Sequence, residues 1–290
     1  MFTDKMTNFY TIRRLEMKKR KRRIYTPKFY VLVGLFSITL LSAIYLINNL
    51  PSEQQLAYAM EETQELSFKS EVELDKWHNK ETKYVYLTFD DGPSKNAPKM
   101  LDILKQYNVP ATFFVLGSSI NGNSKSKEIL NRMLEEGHYI GLHSMTHNKN
   151  ILYGSNGPSN FVREMQEVKE LVSTLTDGFQ SEICRAPYGT GGGTFTSGHV
   201  TAIQQANIKC WDWDVDSLDW KYAQDPATVL QIVKTQTQYN KSKKDLVVLF
   251  HEKDSTVSAL PQVIEYYKSL GYEFAPYSSN LSVERMFFKK

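Results

Sequence analysis

The feature that most limits the possible folds is a regular alternation of strand-like and helix-like segments, which begins at Tyr84. Short runs rich in β-branched and aromatic residues predict strands at 84–89, 111–116, 139–142, 182–185, 208–213, 246–250 and 272–275. Helices are predicted between them, near 97–107, 126–137, 160–175, 198–206, 225–239 and 258–270. This alternation is typical of an α/β fold, in which helices cover a parallel sheet that is either doubly wound and open or closed into a barrel.

Polar residues that fit no packing pattern follow five of the predicted strands. They are Asp90 and Asp91, His143 and His147, Arg185 and Tyr188, Asp216 and Asp219, and His251, after the first, third, fourth, fifth and sixth strands. In a barrel of parallel strands the carboxyl ends converge on one face, where the active site lies. The sequence therefore favours a distorted (β/α) barrel of about seven parallel strands with a functional site at its rim.

The first of these strand ends carries two adjacent carboxylates. Asp90 and Asp91 follow six residues that read as a buried strand, and Gly92-Pro93 then ends it with a turn. Such a pair is costly to desolvate unless a metal ion or another cation lies between the two charges. The stretch favours a functional site, and an ordinary strand-ending turn is the alternative.

The amino-terminal segment has the pattern of a membrane anchor. Residues 1–28 contain ten Lys and Arg, six of them consecutive from Lys18 to Arg23, and 29–47 is a nineteen-residue stretch without charge. This stretch is about long enough to cross a bilayer. A basic block before an apolar span predicts a cytoplasmic tail at 1–28, an uncleaved transmembrane signal anchor at 29–47 and an extracellular remainder. A cleaved signal peptide is the alternative, and Met17 offers a second start residue.

The remaining boundaries follow from composition. Residues 48–82 are rich in Gln, Glu, Ser and Lys without a sustained apolar period, which predicts an extracellular stalk. The α/β domain is predicted at 83–278 and a short carboxyl-terminal tail at 279–290. The net charge of +3 comes from the basic block beside the apolar span, so we expect no nucleic-acid partner. The predicted location is the cell membrane, which one helix crosses once.

Two histidines could contribute to a metal site. His143 and His147 are four residues apart, within reach of one ion if the segment forms a helical turn, although this spacing also arises by chance. With a carboxylate from another strand end they form a ligand set that leaves positions open for water and supports hydrolysis. The other aspartate is then free to act as general base. The same ligands suit a non-haem iron oxygenase, which a β jelly roll would favour.

Five short motifs follow one another along the chain. They are Thr88-Phe-Asp-Asp-Gly-Pro93, His143-Ser-Met-Thr-His147, Arg185-Ala-Pro-Tyr188, Trp213-Asp-Val-Asp-Ser-Leu-Asp219-Trp220 and Leu249-Phe-His251. In this order they resemble the motifs of the polysaccharide deacetylases, the NodB-homology domains of carbohydrate esterase family 4. The resemblance covers about residues 82–278 and identifies 83–278 as the catalytic domain.

The resemblance implies a base and a metal centre. Asp90 would be the base that activates the attacking water, and Arg185 would pair with it and hold it ionised. Asp91, His143 and His147 would bind one divalent metal ion, typically zinc.

The resemblance also implies an acid and a substrate pocket. His251 would protonate the leaving amine, and Asp219 would orient and charge-stabilise it. The backbone N–H of Tyr188 would join the metal in stabilising the oxyanion. Trp213 and Leu249 would form the walls of the acetyl pocket.

These roles imply metal-dependent hydrolysis of N-acetyl groups from an amino-sugar polymer. Peptidoglycan N-acetylglucosamine is the favoured substrate, because an enzyme anchored on the outer face of a membrane meets the cell wall first. Chitin oligomers, poly-N-acetylglucosamine, muramic acid and O-acetylated xylan are alternatives. A glycan-binding domain that has kept the fold without activity is a rival of another class.

Other residues receive structural interpretations. Cys184, Cys210 and Trp211 are expected in the core, whereas His138 and His199 match no motif and are expected at the surface.

Three further features lie near the predicted rim. The run Gly189–Gly193 predicts a flexible rim loop, because no Lys-Ser/Thr follows it as in a phosphate-binding loop. Asp216 is the other aspartate expected to touch the site. Glu252 stands where the family commonly has Asp, and we expect it to alter the approach to His251 without removing its role.

Overall fold

A computed structural model describes residues 82–279, which belong to the second of two units, Trp77–Lys290. The predicted cytoplasmic tail, membrane span and stalk lie outside the described residues, apart from Thr82. Of the predicted carboxyl-terminal tail, the description reaches Ser279. Between residues 82 and 279, no helix has both the length and the apolar character needed to cross a membrane.

Strands and helices alternate along the described chain. The strands are β1 Lys83–Gly92, β2 Thr112–Val115, β3 Tyr139–Leu142, β4 Ile183–Cys184, β5 Lys209–Cys210, β6 Val215–Asp216, β7 Leu246–His251 and β8 Tyr272–Phe274. The helices are α1 Ala97–Tyr107, α2 Gly117–Gly122, α3 Ser126–Glu135, α4 Lys149–Tyr153, α5 Gly157–Leu175, α6 Ser197–Gln205, α7 Pro226–Tyr239 and α8 Asp254–Ser269.

The strands form one parallel sheet with β1 near its centre. Seven strands follow the order β5-β4-β3-β2-β1-β7-β6, and β8 also pairs with β1. Val85 of β1 pairs with Leu246 of β7 and with Phe274 of β8, so these two strands lie on opposite edges of β1. The predicted parallel α/β architecture is confirmed. The sheet is a curled half-barrel, because in the described part of the chain its path ends at β5 and β6.

The alternation of side chains along β1 separates two apolar clusters. Val85, Leu87 and Phe89 belong to the main core, whereas Tyr84 and Tyr86 belong to a smaller cluster that includes Trp211. Because successive strand side chains point to opposite faces, Thr88 and Asp90 share the face of Tyr84 and Tyr86. The strand therefore directs Asp90 to the face opposite the main core.

Helix α5 shows how the covering helices bury one face. Phe161, Met165, Val168 and Val172 recur at helical spacing and are fully buried in the main core. Glu164 occupies the same face and is 1 % exposed. A carboxylate on an apolar face needs hydrogen-bond donors, and here the N–H and the hydroxyl of Thr146 supply them.

The structure corrects several boundaries. Of the predicted strand at 208–213, only the two residues of β5 form a strand. Asp216, which we expected in the segment after that strand, is part of the separate strand β6. The short helices α2 and α4 were not predicted. Each spans six residues or fewer, which is too short for an apolar period to be recognised in the sequence.

Candidate active site and metal centre

The carboxyl end of β1 separates its two aspartates. Asp90 still pairs in register, with Phe114 of β2 on one side and His251 of β7 on the other. The register with β2 then shifts between Asp90 and Gly92, and Asp91 adopts a left-handed φ of 71°. Such an irregularity re-aims a side chain at a strand end. The two neighbouring carboxylates therefore occupy different positions in the site.

Asp90 is bound by a fully buried arginine. Nη1 of Arg185 donates to Oδ1 of Asp90 at 2.9 Å and to Oγ1 of Thr88 at 2.6 Å. Nε of Arg185 donates to the carbonyl of Trp211 at 3.0 Å, and the guanidinium lies 4.2 Å from the ring centroid of Phe114. These contacts fix the planar group, and its charge compensates the buried carboxylate.

Asp91, His143 and His147 converge on one point. One ligand atom from each lies within 4.8 Å of the others, and this is the only such group found between residues 82 and 279. Oδ1 of Asp91 is 3.5 Å from Nε2 of His143 and 3.7 Å from Nε2 of His147. These separations are too long for good hydrogen bonds, but they suit three ligands around one ion.

The polar atoms of this group fit a metal ion. Oδ1 of Asp91 is buried and makes no hydrogen bond within the described part of the chain. Nδ1 of His143 lies 2.9 Å from the carbonyl oxygen of Arg185, which only accepts, so this nitrogen carries the proton and Nε2 keeps its lone pair. A cation would satisfy both atoms, and two imidazoles with a carboxylate form a donor set suited to zinc.

The electrostatics of the group favour the unprotonated ligands. Burial opposes ionisation of Asp91, but the charges of His143, His251 and His147 outweigh it and lower the pKa of this carboxyl. Burial and the neighbouring His143 lower the pKa of His147 below its ordinary value of 6.5. The lowered pKa of His147 favours its neutral form, which is the form that binds a metal, whereas the lowered pKa of Asp91 reflects protonated imidazoles whose charge a bound cation would replace.

The segment that carries the two histidines is not a helical turn. Residues 143–148 form a bend, in which Ser144 and His147 adopt left-handed φ values of 71° and 54°. The histidine rings nevertheless lie 5.2 Å apart. A folded loop, rather than helical periodicity, therefore brings them to one point.

His251 and Asp219 form a second buried pair. Nδ1 of His251 lies 2.7 Å from Oδ1 of Asp219, and the main-chain N–H of His251 donates to Oδ2 at 2.6 Å. Thr256 also donates to Asp219, which is fully buried. Burial lowers the pKa of His251, but the hydrogen bond and charge of Asp219 outweigh it and raise the pKa above 6.5. Nε2 of His251 remains 4.0 Å from Oδ2 of Asp91, on the metal side.

Tyr188 lies beside the second histidine. Its hydroxyl donates to the carbonyl of His147 at 2.9 Å, and its ring is 54 % exposed. Its backbone is left-handed, with φ of 66°. Within the described residues no acceptor is found for the Tyr188 N–H. This donor is therefore available to a ligand.

Trp213 and Leu249 lie next to the Asp90–Arg185 pair. The ring of Trp213 is 5.7 Å from the guanidinium of Arg185, and Leu249 pairs in register with Thr88. The Trp213 ring also leaves no room for a side chain at one position of the rim loop. Gly189 has φ of +76°, and a Cβ there would lie 2.6 Å from the Trp213 ring.

Two histidine predictions are wrong. His138 is buried and its Nδ1 accepts from the N–H of Ala111, and burial lowers its pKa to about 4. His199 is 2 % exposed, caps α6 with Thr196 and bonds the carbonyl of Leu152. The predicted core positions of Cys184, Cys210 and Trp211 are confirmed, since all three are fully buried.

Glu252 and Asp216 both lie close enough to the site for its charges to act on them: Asp91 acts on Glu252, and His251 and Asp219 act on Asp216. The Glu252 side chain is 6 % exposed and packs against Gly92 beneath the turn, where it accepts from the N–H of Ser94. It therefore braces this turn. Asp216 accepts from the N–H of Leu218, and burial raises the pKa of its carboxyl.

The site has two contributors to which the sequence analysis gave no role, Thr88 within the first motif and Glu164 outside all five. Thr88 accepts from Arg185 and donates to the carbonyl of Val248, and Glu164 binds the loop between the two histidines. For Glu164 the only signal in the sequence is an acidic residue on the apolar face of a helix.

Comparisons with known proteins agree with this geometry. A family model described as polysaccharide deacetylase matches residues 78–211. A putative polysaccharide deacetylase of Bacillus subtilis, YheN, is 38 % identical over 194 residues, which are 66 % of this chain and 66 % of the relative. A peptidoglycan-N-acetylglucosamine deacetylase of Bacillus cereus is 35 % identical over 242 residues, 80 % of this chain and 85 % of that protein.

A solved structure is similar over nearly its full length. The crystal structure of the polysaccharide deacetylase Bc1974 from Bacillus cereus gives a TM-score of 0.64 at 34 % identity. The match covers 71 % of this chain and 97 % of that one.

Proposed function

This chain belongs to the polysaccharide deacetylase family, a family of hydrolases that act on amide bonds, and we propose that it removes N-acetyl groups from N-acetylglucosamine residues of peptidoglycan. The observation that carries the proposal is the position of Asp91. Its Oδ1, which has no hydrogen-bond partner among residues 82–279, faces two imidazoles. The Asp90–Arg185 pair and the His251–Asp219 pair lie close to this group.

Asp91, His143 and His147 are the residues that hold the ion in this proposal. A divalent ion, with zinc favoured, would act as a Lewis acid on the acetyl carbonyl and on the attacking water. The chain's own contribution is to present three ligands from two strand ends and to keep His143 in one tautomer through the Arg185 carbonyl.

Asp90 is the base in the proposed reaction. Arg185 engages Oδ1, while Oδ2 lies 3.7 Å from Nε2 of His143 at the edge of the metal centre. Oδ2 accepts a proton from water as its oxygen bonds to the acetyl carbon. Arg185 keeps the carboxylate oriented and its charge compensated.

His251 is the acid that completes hydrolysis. Asp219 holds Nδ1, so that a proton on Nε2 faces the site. As the carbon–nitrogen bond breaks, this proton passes to the amine, and the products are acetate and a free amino sugar. The Tyr188 N–H stabilises the oxyanion, and Trp213 and Leu249 enclose the acetyl methyl group.

Peptidoglycan is the glycan favoured for this chain. The Bacillus cereus relative is named for peptidoglycan N-acetylglucosamine, and exposed rings at Tyr188 and Trp220 suit stacking on sugars. Chitin oligomers, poly-N-acetylglucosamine, the muramic-acid residue and O-acetylated xylan are the competing substrates. An oxygenase is not favoured, because the parallel sheet with its helices differs from a jelly roll.

Acetate release from a panel of purified glycans tests the proposal. We expect the full chain to release acetate from peptidoglycan without oxygen or a co-substrate, and mass spectrometry of the digested product to place the free amine on glucosamine. An Asp90→Asn variant is the control for contaminating activity. If acetate were released from none of the glycans, the proposed deacetylase activity would be contradicted. If it were released only from another glycan, that glycan would replace peptidoglycan as the proposed substrate.

We also propose that residues 29–47 anchor the chain in the cell membrane, with the catalytic domain outside. The support is the basic block at 1–28 followed by the uncharged span. A topology reporter fused after Lys83 should be active outside the cell. A cytoplasmic signal would contradict the orientation, and a soluble mature form beginning near Asn48 would make the segment a cleaved signal.

A further inference from the structure

Glu164 is a buried carboxylate that the proposed reaction does not use. It lies on the apolar face of α5, between Phe161 and Val168, and is 1 % exposed. A carboxylate in such surroundings is unfavourable unless donors meet it. Its donors come from one residue: the N–H of Thr146 bonds Oε2 at 3.0 Å, and the Thr146 hydroxyl lies 3.0 Å from both oxygens.

Thr146 stands directly before His147 in a backbone that needs support. Ser144 and His147 both adopt left-handed φ values, which are unfavourable for residues other than glycine. The first half of the loop is held by α2, where the N–H groups of Gly117 and Ser118 bond the carbonyls of Ser144 and Met145.

The second half of the loop depends on side chains. Oγ of Ser144 accepts from the N–H of His147 at 3.0 Å, and the Thr146 hydroxyl accepts from the N–H of Asn148 at 3.2 Å. Glu164 is the contact that ties this half to a covering helix, because it fixes both polar groups of Thr146.

We propose that Glu164 is a positioning residue for the metal centre, which holds Thr146 so that His143 and His147 face Asp91 together. This inference rests on the proposed function, since it assumes that these three residues bind a metal. The carboxylate acts through the loop and does not touch the ion. Groups that hydrogen-bond a metal ligand directly commonly change metal affinity by about 10–100-fold when they are replaced. Glu164 acts one residue further out, through Thr146, so its effect belongs at the lower end of that range.

The test measures Zn²⁺ affinity directly. The full chain is stripped with a chelator, and the dissociation constant for Zn²⁺ is obtained by competition with a chromophoric chelator. We expect Glu164→Gln to bind Zn²⁺ about 10-fold more weakly, because one of the two oxygens that accept from Thr146 becomes an amide donor and the negative charge is lost. Glu167→Gln is the matched control on the same helix, since Glu167 is exposed and pairs with Arg163. It should bind like the parent.

A second measurement separates positioning from general stability. The visible spectrum of the Co²⁺-loaded chain reports the ligand geometry, and it should change in Glu164→Gln but not in Glu167→Gln. Thr146→Val removes the hydroxyl donor from the other side of the contact. Thr146→Val should also weaken Zn²⁺ binding. If Glu164→Gln does not fold, Thr146→Val is the variant that tests the positioning role.

The outcomes distinguish this inference from the proposed function. The positioning role alone would be overturned if a folded Glu164→Gln had the affinity of the parent and an unchanged Co²⁺ spectrum. If Glu164→Gln does not fold, the same result in Thr146→Val would overturn it. A parent chain that binds no Zn²⁺ would overturn the proposed metal centre and this inference with it.

Discussion

Oδ1 of Asp90 accepts a hydrogen bond of 2.9 Å from Nη1 of Arg185, and both side chains are almost completely buried. The two residues are far apart in sequence, at the ends of β1 and β4. Asp91, the next residue after Asp90, has no such partner and faces two histidines instead. The structure thus gives adjacent carboxylates different surroundings, which is what separate roles as base and ligand require.

The first prediction separates these two roles. Asp90→Asn should retain its metal but lose about 10²–10⁴-fold in the rate of acetate release, because the amide cannot accept the proton. Metal content, acetate release and a melting curve are measured on the same preparation. Activity close to that of the parent would overturn Asp90 as the base.

The second prediction concerns metal ligands. His143→Ala and Asp91→Ala should each lose most of the bound divalent ion, because each removes one of three ligands. Elemental analysis after dialysis measures the occupancy. His138→Gln is a control, since His138 is buried away from the site and should keep full occupancy. Unchanged occupancy in both ligand variants would refute the assignment.

The third prediction concerns stability. Arg185→Ala should reduce the free energy of unfolding by about 3–5 kcal/mol, because it leaves the Asp90 carboxylate buried without its cation. Arg163→Ala removes an exposed pair with Glu167 and should cost about 0–1 kcal/mol. Urea denaturation of both variants measures the difference. A loss for Arg185→Ala no larger than that for the control would show that the buried pair contributes little.

The fourth prediction concerns pH. Asp219 is the main group that raises the pKa of His251 above 6.5 against the effect of burial, so the imidazolium persists to higher pH. Asp219→Asn removes this charge, and the pKa of His251 should fall. The alkaline limb of kcat/KM should therefore move to lower pH, whereas Asp225→Asn, at an exposed helix cap, should leave it in place. An unmoved limb in Asp219→Asn would mean that Asp219 does not tune the acid.

Much of the fold could be predicted because its main strands are continuous apolar runs. β1, β3 and β7 were found within a few residues of their bounds. β6 was not predicted, because two residues are too few to show a pattern. The parallel arrangement also followed, since helices fill most of the connections between strands.

The residues that the structure brings together could be predicted where they lie at, or just after, the carboxyl ends of strands, as Asp90, Arg185 and His251 do. Contacts made across the fold were not. From the sequence alone, Glu164 could equally have been a solvent-exposed helix residue. The structure shows that it is buried and accepts hydrogen bonds from Thr146. His138 and His199 were misplaced because their partners are main-chain groups, which a side-chain pattern does not reveal.

Asp90 and His251 stand opposite each other in register on β1 and β7. Neighbouring strands in a sheet lie about 4.8 Å apart, a spacing that main-chain hydrogen bonds maintain. The sheet therefore sets the separation of the two backbones, while Arg185 and Asp219 orient the side chains that they carry. Rim segments such as 189–193 can change in length and composition while main-chain pairing keeps these two backbones at the same separation.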